Sequence, residues 1–248
     1  MRSVATAFLC LWTHAALADV AFQDRSASSP AHVYSGGWTH FVGGGVAVFD
    51  CNQDGLPDFF AAGGAEPAKL MRNMGGFAFV VVDEHDIPPL TAVTGAYPLD
   101  IDADGNMDLF VLRVGPNVVL KGAGDCVFSD ATAHWGFPSH DQWSTAFSAW
   151  WYPGHDRPTL AIGNYVDRKN PEGPFEACDT NVLLHPIASG YQAEELAPGF
   201  CPLSMLAARD AWGRFTLRFS NDRHYYVKWG YEQMWDFSER RFLGPADG

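Results

Sequence analysis

The stretch Val46-Ala47-Val48-Phe49-Asp50-Cys51-Asn52-Gln53-Asp54-Gly55-Leu56-Pro57-Asp58-Phe59-Phe60 decides the fold. Val46 to Phe49 and Phe59 to Ala62 are β-favouring runs, and a loop rich in Asp, Asn and Gly separates them. The same arrangement returns in Ala96-Tyr97-Pro98-Leu99-Asp100-Ile101-Asp102-Ala103-Asp104-Gly105-Asn106-Met107-Asp108-Leu109-Phe110. Both loops read D-x-[DN]-x-D-G-x-x-D, and Asp100 follows Asp50 by 50 residues.

The echo runs past the loops. Leu70 precedes Phe77 and Phe79 much as Leu120 precedes Val127 and Phe128, and Asn181-Val182-Leu183-Leu184 repeats Asn117-Val118-Val119-Leu120. An eroded third copy runs from Trp150 to Ile162, its loop starting at Trp151, with Pro158 standing where Pro57 does. A fourth centres on Gly213, which aligns with Gly55. These two copies have lost most of their acidic positions. No helical period is sustained beyond the N-terminus. Repeats of this length built of several short strands predict an all-β, β-propeller-type fold of about four blades, with units near 38–90, 91–140, 141–195 and 196–243. A sandwich or barrel with coincidental loops is the competing architecture.

Alternate positions in such a loop turn their side chains towards one centre, and a hard cation such as calcium takes several oxygen ligands. The candidates are Asp50, Asn52, Asp54 and Asp58 in the first loop, and Asp100, Asp102, Asp104 and Asp108 in the second. The carbonyls of Leu56 and Asn106 are further candidates. Gly55 and Gly105 permit the reversal that wraps the chain round an ion. An EF-hand is excluded: it needs flanking helices and a Glu at position 12, where this chain has Ala61 and Val111. An acidic turn without an ion is the plain alternative.

These residues and spacings resemble the FG-GAP/VCBS repeats of integrin-like β-propellers. The surrounding text is closer still to the bacterial relatives of cartilage acidic protein, the ASPIC/UnbV group. The echoes are Gly45 through Asp58, Phe128-Ser129-Asp130-Ala131-Thr132-Ala133, Gly163-Asn164-Tyr165-Val166 and Ser220-Asn221-Asp222. The resemblance implies Ca2+ in the loops between blade strands and a role in adhesion or ligand binding. Integrin-like propellers usually have seven blades, so about four units imply a partial or open ring, a short member, or a ring that a second copy completes.

The chain has 248 residues, 47% hydrophobic and 14% aromatic, ample for a packed core. A formal net charge of −13 argues against nucleic acid and anionic lipid as partners and suits divalent cations. Arg2, the apolar run Val4 to Trp12 and Ala16-Leu17-Ala18 read as a cleavable signal over 1–18. That run is too short to span a membrane, and no later segment is suited to insertion. The expectation is therefore one domain over 19–248, secreted or periplasmic, with net charge −14 once Arg2 is lost. Four cysteines remain, an even number that permits disulfides. Cys178 with Cys201 is the favoured pair, because both flank one loop-rich stretch, and free buried thiols are the alternative.

Nothing in the sequence marks an enzyme. H-E-x-x-H and G-x-S-x-G are absent, and no His/Cys pair has zinc spacing. Gly43-Gly44-Gly45 opens the first repeat rather than a phosphate loop. Glu194, Glu195 and Asp222 form no recognisable catalytic pair. The dense aromatics are read as inter-blade core, with His224-Tyr225-Tyr226 and Trp150-Trp151-Tyr152 as sugar-stacking candidates. The expected function is an exported, non-enzymatic calcium-binding repeat protein for adhesion, ligand binding or scaffolding. Its partner would be a protein or glycan, with homo-oligomerisation open. The competing reading is a lectin or carbohydrate-active enzyme.

Overall fold

The structure is a computed structural model that describes residues 21–138, 140–222 and 227–244. The signal expected at 1–18 and the aromatic triplet at 224–226 lie outside these residues. The described chain is all-β: sixteen strands and two short 3-10 turns, with no α-helix.

The strands fall into four consecutive antiparallel meanders of four. The first holds β1 (Val46–Phe49), β2 (Asp58–Ala61), β3 (Lys69–Asn73) and β4 (Phe79–Val81). The second holds β5 (Val93–Leu99), β6 (Asp108–Gly115), β7 (Val118–Gly122) and β8 (Phe128–Asp130). The third holds β9 (Gln142–Trp150), β10 (Thr159–Asn164), β11 (Asn181–Ile187) and β12 (Gly190–Leu196). The fourth holds β13 (Pro202–Arg209), β14 (Phe215–Asn221), β15 (Gln233–Asp236) and β16 (Arg241–Phe242). Val114 and Gly115 of β6 pair with Trp143 and Gln142 of β9, so the second and third meanders share one curled eight-stranded sheet.

Packing between meanders follows from the two-residue period of each strand, which sends alternate apolar side chains to opposite faces. Phe60 and Leu70 meet Leu109 and Val111 in one core. Phe110 and Val119 meet Phe147 and Leu160 in the next. Ala161 and Leu183 meet Leu217 and Phe219 in the third. A further cluster draws on several meanders: Val42 packs with Trp143, Tyr165 and Cys201. Among the described residues no core packs the fourth meander on the first. The first strands of neighbouring meanders lie side by side, and Gly45, Thr94, Thr145 and Leu203 from all four repeats line a central cavity of about 260 Å³. The arrangement is propeller-like.

Two disulfides are present. Cys178–Cys201 ties the loop before β11 to the start of β13. Cys51–Cys126 spans 75 residues and ties the first acidic loop to the β7–β8 hairpin. Sequence spacing left this second pair open, because the two cysteines meet only once neighbouring meanders stack. No helix among the described residues is long and apolar enough to cross a membrane.

Candidate metal centre

Both acidic loops join the first strand of a meander to the second, and they share one backbone course. Gln53 and Ala103, at the fourth loop position, both have φ 59°. At the sixth, Gly55 and Gly105 have φ 81° and 87°. That is the left-handed region which glycine adopts freely and which costs other residues about 1–2 kcal/mol.

The first residue of each loop organises the turn. Asp50 Oδ2 accepts the Gly55 N–H at 2.8 Å and Oδ1 accepts that of Asp54 at 3.2 Å. Asp100 accepts the N–H groups of Gly105 and Asp104 at 3.0 and 3.1 Å in the same way. The fifth residue caps the far side of the turn: Asp54 Oδ1 accepts the Leu56 N–H at 2.8 Å, and Asp104 Oδ1 that of Asn106 at 2.9 Å. The Asn52 amide donates to Asp54 at 2.8 Å and, with Leu56, holds the Asp54 carboxyl below its ordinary range. The ninth residue is buried in both loops. Asp58 accepts from the N–H of Cys51 at 2.9 Å and of Asn73 at 2.7 Å. Asp108 accepts from those of Ile101 at 2.8 Å and Gly122 at 2.9 Å. Burial raises the Asp108 carboxyl to about 6 against these donors.

The loops differ in how tightly their carboxylates converge. Oxygens of Asp100, Asp102 and Asp108 all lie within 4.8 Å of one another. That donor set is all oxygen, which suits a hard cation. Asp104 is not in that group and is joined to it through Lys121, whose Nζ bonds both Asp102 Oδ2 and, at 2.6 Å, Asp104 Oδ2. This bond is the largest cause holding the Asp104 carboxyl below its ordinary range. In the first loop Asp58 groups instead with the sulfurs of Cys51 and Cys126. Those sulfurs are joined in a disulfide and offer no thiolate to a metal. The loops touch each other, because the Gln53 amide lies 3.3 Å from Asn106 Oδ1.

Basic residues facing the loops were not among the sequence candidates. Their signal was present: Leu70-Met71-Arg72 and Val119-Leu120-Lys121 end alike, 49 residues apart. The eroded loops follow another chemistry. Their ninth positions are the buried Thr159 and Thr216, and the fourth loop is closed by Asp210 with Arg214.

The other candidates are dispersed. Glu194 bonds His185 and Arg240, its neighbour Glu195 is exposed, and Asp222 accepts the Tyr165 hydroxyl. Trp150 is buried in a core, while Trp151 and Tyr152 are exposed beside it.

Residues 50–111, from the first acidic loop into β6, match the family described as FG-GAP-like repeat. No curated protein matches the chain. The protein therefore contains an FG-GAP-like repeat, laid across its first two meanders.

Proposed function

We propose that this is an exported, non-enzymatic calcium-binding repeat protein in which each meander is one blade of an open, four-bladed propeller. The observation that carries the reading is the convergence of Asp100, Asp102 and Asp108 oxygens within 4.8 Å, in one of two loops with the same backbone course. Asp50, Asn52, Asp54 and Asp58, with the Leu56 carbonyl, would hold the first ion. Asp100, Asp102, Asp104 and Asp108, with the Asn106 carbonyl, would hold the second. The role of the ion is to fix loops on one end of the array, where a protein or glycan ligand could be met. Affinity in the range of extracellular calcium modules, about 10⁻⁴–10⁻³ M, fits such a role. The two disulfides support folding in an oxidising compartment, secreted or periplasmic.

The test is thermal unfolding in calcium and in chelator. Chelation lowers the midpoint by several degrees, calcium restores it and magnesium restores much less. The difference vanishes in the Asp54→Ala/Asp104→Ala double variant. A midpoint indifferent to chelator in the parent protein removes the calcium role.

A further inference from the structure

One position of the third strand is Lys or Arg in both meanders whose loops are acidic. Leu120 pairs with Leu109, which sets Lys121 opposite the end of the second acidic loop. Met71 pairs with Phe59, which sets Arg72 at the same place in the first meander. In the third meander the place falls to His185, next to Leu184, which pairs with Leu160. In the fourth it is Asp236, paired with Thr216. The position is basic where the loop is acidic, and acidic in the fourth meander, where the loop has lost most of its carboxylates.

Lys121 and Arg72 use that place differently. The Lys121 ammonium bridges Asp102 and Asp104 and lies 5.4 Å from the centre of the Trp135 ring. Asp102 Oδ1 is enclosed without a hydrogen-bond partner among the described residues. Arg72 acts on Asp54 only through its field, and its enclosed Nε has no partner among the described residues.

We propose that Lys121 is the resident cation of the second loop, and that a divalent ion enters that loop only by displacing the Lys121 ammonium. This concerns regulation of the site described above and rests on the calcium reading. An ammonium and a divalent cation cannot share Asp102 and Asp104, since like charges a few ångströms apart repel strongly at the effective dielectric of a protein surface. The lysine stem is flexible and its side chain is 33% exposed, so the ammonium has a route into solvent. The second loop thereby keeps its shape without metal. The first loop, with Asn52 rather than an ammonium between its carboxylates, has no such internal substitute.

The experiment is calcium titration calorimetry on the full chain, together with melting in chelator, for the parent, Lys121→Met, Lys121→Gln and Lys121→Arg. Both neutral variants bind calcium at the second loop about ten- to a hundredfold more tightly. Both also melt at lower temperature in chelator, whereas Lys121→Arg resembles the parent. Adding Asp104→Asn to Lys121→Met removes the gain in affinity and recovers part of the melting temperature. Unchanged calcium affinity in both neutral variants overturns displacement. No calcium heat in any of the proteins overturns the calcium reading instead. The chelator melts still decide the counter-ion role in that event: neutral variants that melt with the parent overturn it.

Discussion

Asp58 accepts the backbone N–H of Asn73 at 2.7 Å, so the last acidic residue of the first loop is fastened to the third strand of its own meander. Its other oxygen accepts the Cys51 N–H at 2.9 Å. A residue chosen by sequence as a metal ligand thus has a second task, which is to close the loop against the sheet. Asp58→Ala leaves one buried and one half-buried N–H group unsatisfied. It should cost about 2–6 kcal/mol, at roughly 1–3 kcal/mol for each group. Denaturant unfolding in chelator checks this, and a loss seen only in calcium would assign Asp58 to the metal alone.

The Cys51–Cys126 link closes a loop of 75 residues. Replacing both cysteines by alanine should lower stability by about 2–5 kcal/mol. Equilibrium unfolding of the double variant against the parent measures it. A change under about 1 kcal/mol would mean that meander packing alone aligns these residues.

Gly122 has no room for a side chain. An added Cβ would lie 2.2 Å from the Met107 carbonyl oxygen, far inside van der Waals contact, and press on Phe128. Gly122→Ala should therefore cost about 1–3 kcal/mol and shift the end of the second loop. Gly95→Ala is the control, because its Cβ would meet only a Tyr97 ring carbon at 3.8 Å. Similar unfolding midpoints for the two variants would contradict the steric account.

Tyr191 is buried, its hydroxyl lacks a partner among the described residues, and burial pushes its pKa up to about 12. An unfolded tyrosine ionises near 10. The unfolded state therefore loses its proton first, and stability that is intact below about pH 10 falls by about 2–3 kcal/mol as pH rises towards 12. Unfolding followed between pH 8 and 12 tests this, with Tyr191→Phe expected to flatten the decline relative to the parent.

Much of the architecture was legible because it is periodic. Two copies of one loop at a fixed spacing locate the turns between first and second strands, and the apolar runs on either side supply the strands. The third and fourth meanders were readable from position more than from chemistry: Gly213 keeps φ 82° where Gly55 has 81°, though most of the acids around it are gone. What was not legible depends on stacking. Cys51 and Cys126 belong to different repeats, and no local pattern pairs them. The buried state of Asp58 and Asp108 also could not be read, since an aspartate in a loop reads as exposed until two strands close round it. Lys121 went unnoticed because its echo of Arg72 does not by itself say what the base faces. Its meaning comes from Asp102 and Asp104, reached across the meander.

The two disulfides join the two outer pairs of meanders, through different loops. One fastens the first meander to the second and the other the third to the fourth, while the middle pair is joined by hydrogen bonds between β6 and β9. Each terminal meander shares a sheet core with one neighbour, whereas an inner meander shares a core with two. The covalent links fall at the two junctions where fraying would begin. Reduction should therefore loosen the molecule from its ends inward, with amide exchange quickening in β1–β4 and β13–β16 while the central eight strands stay protected.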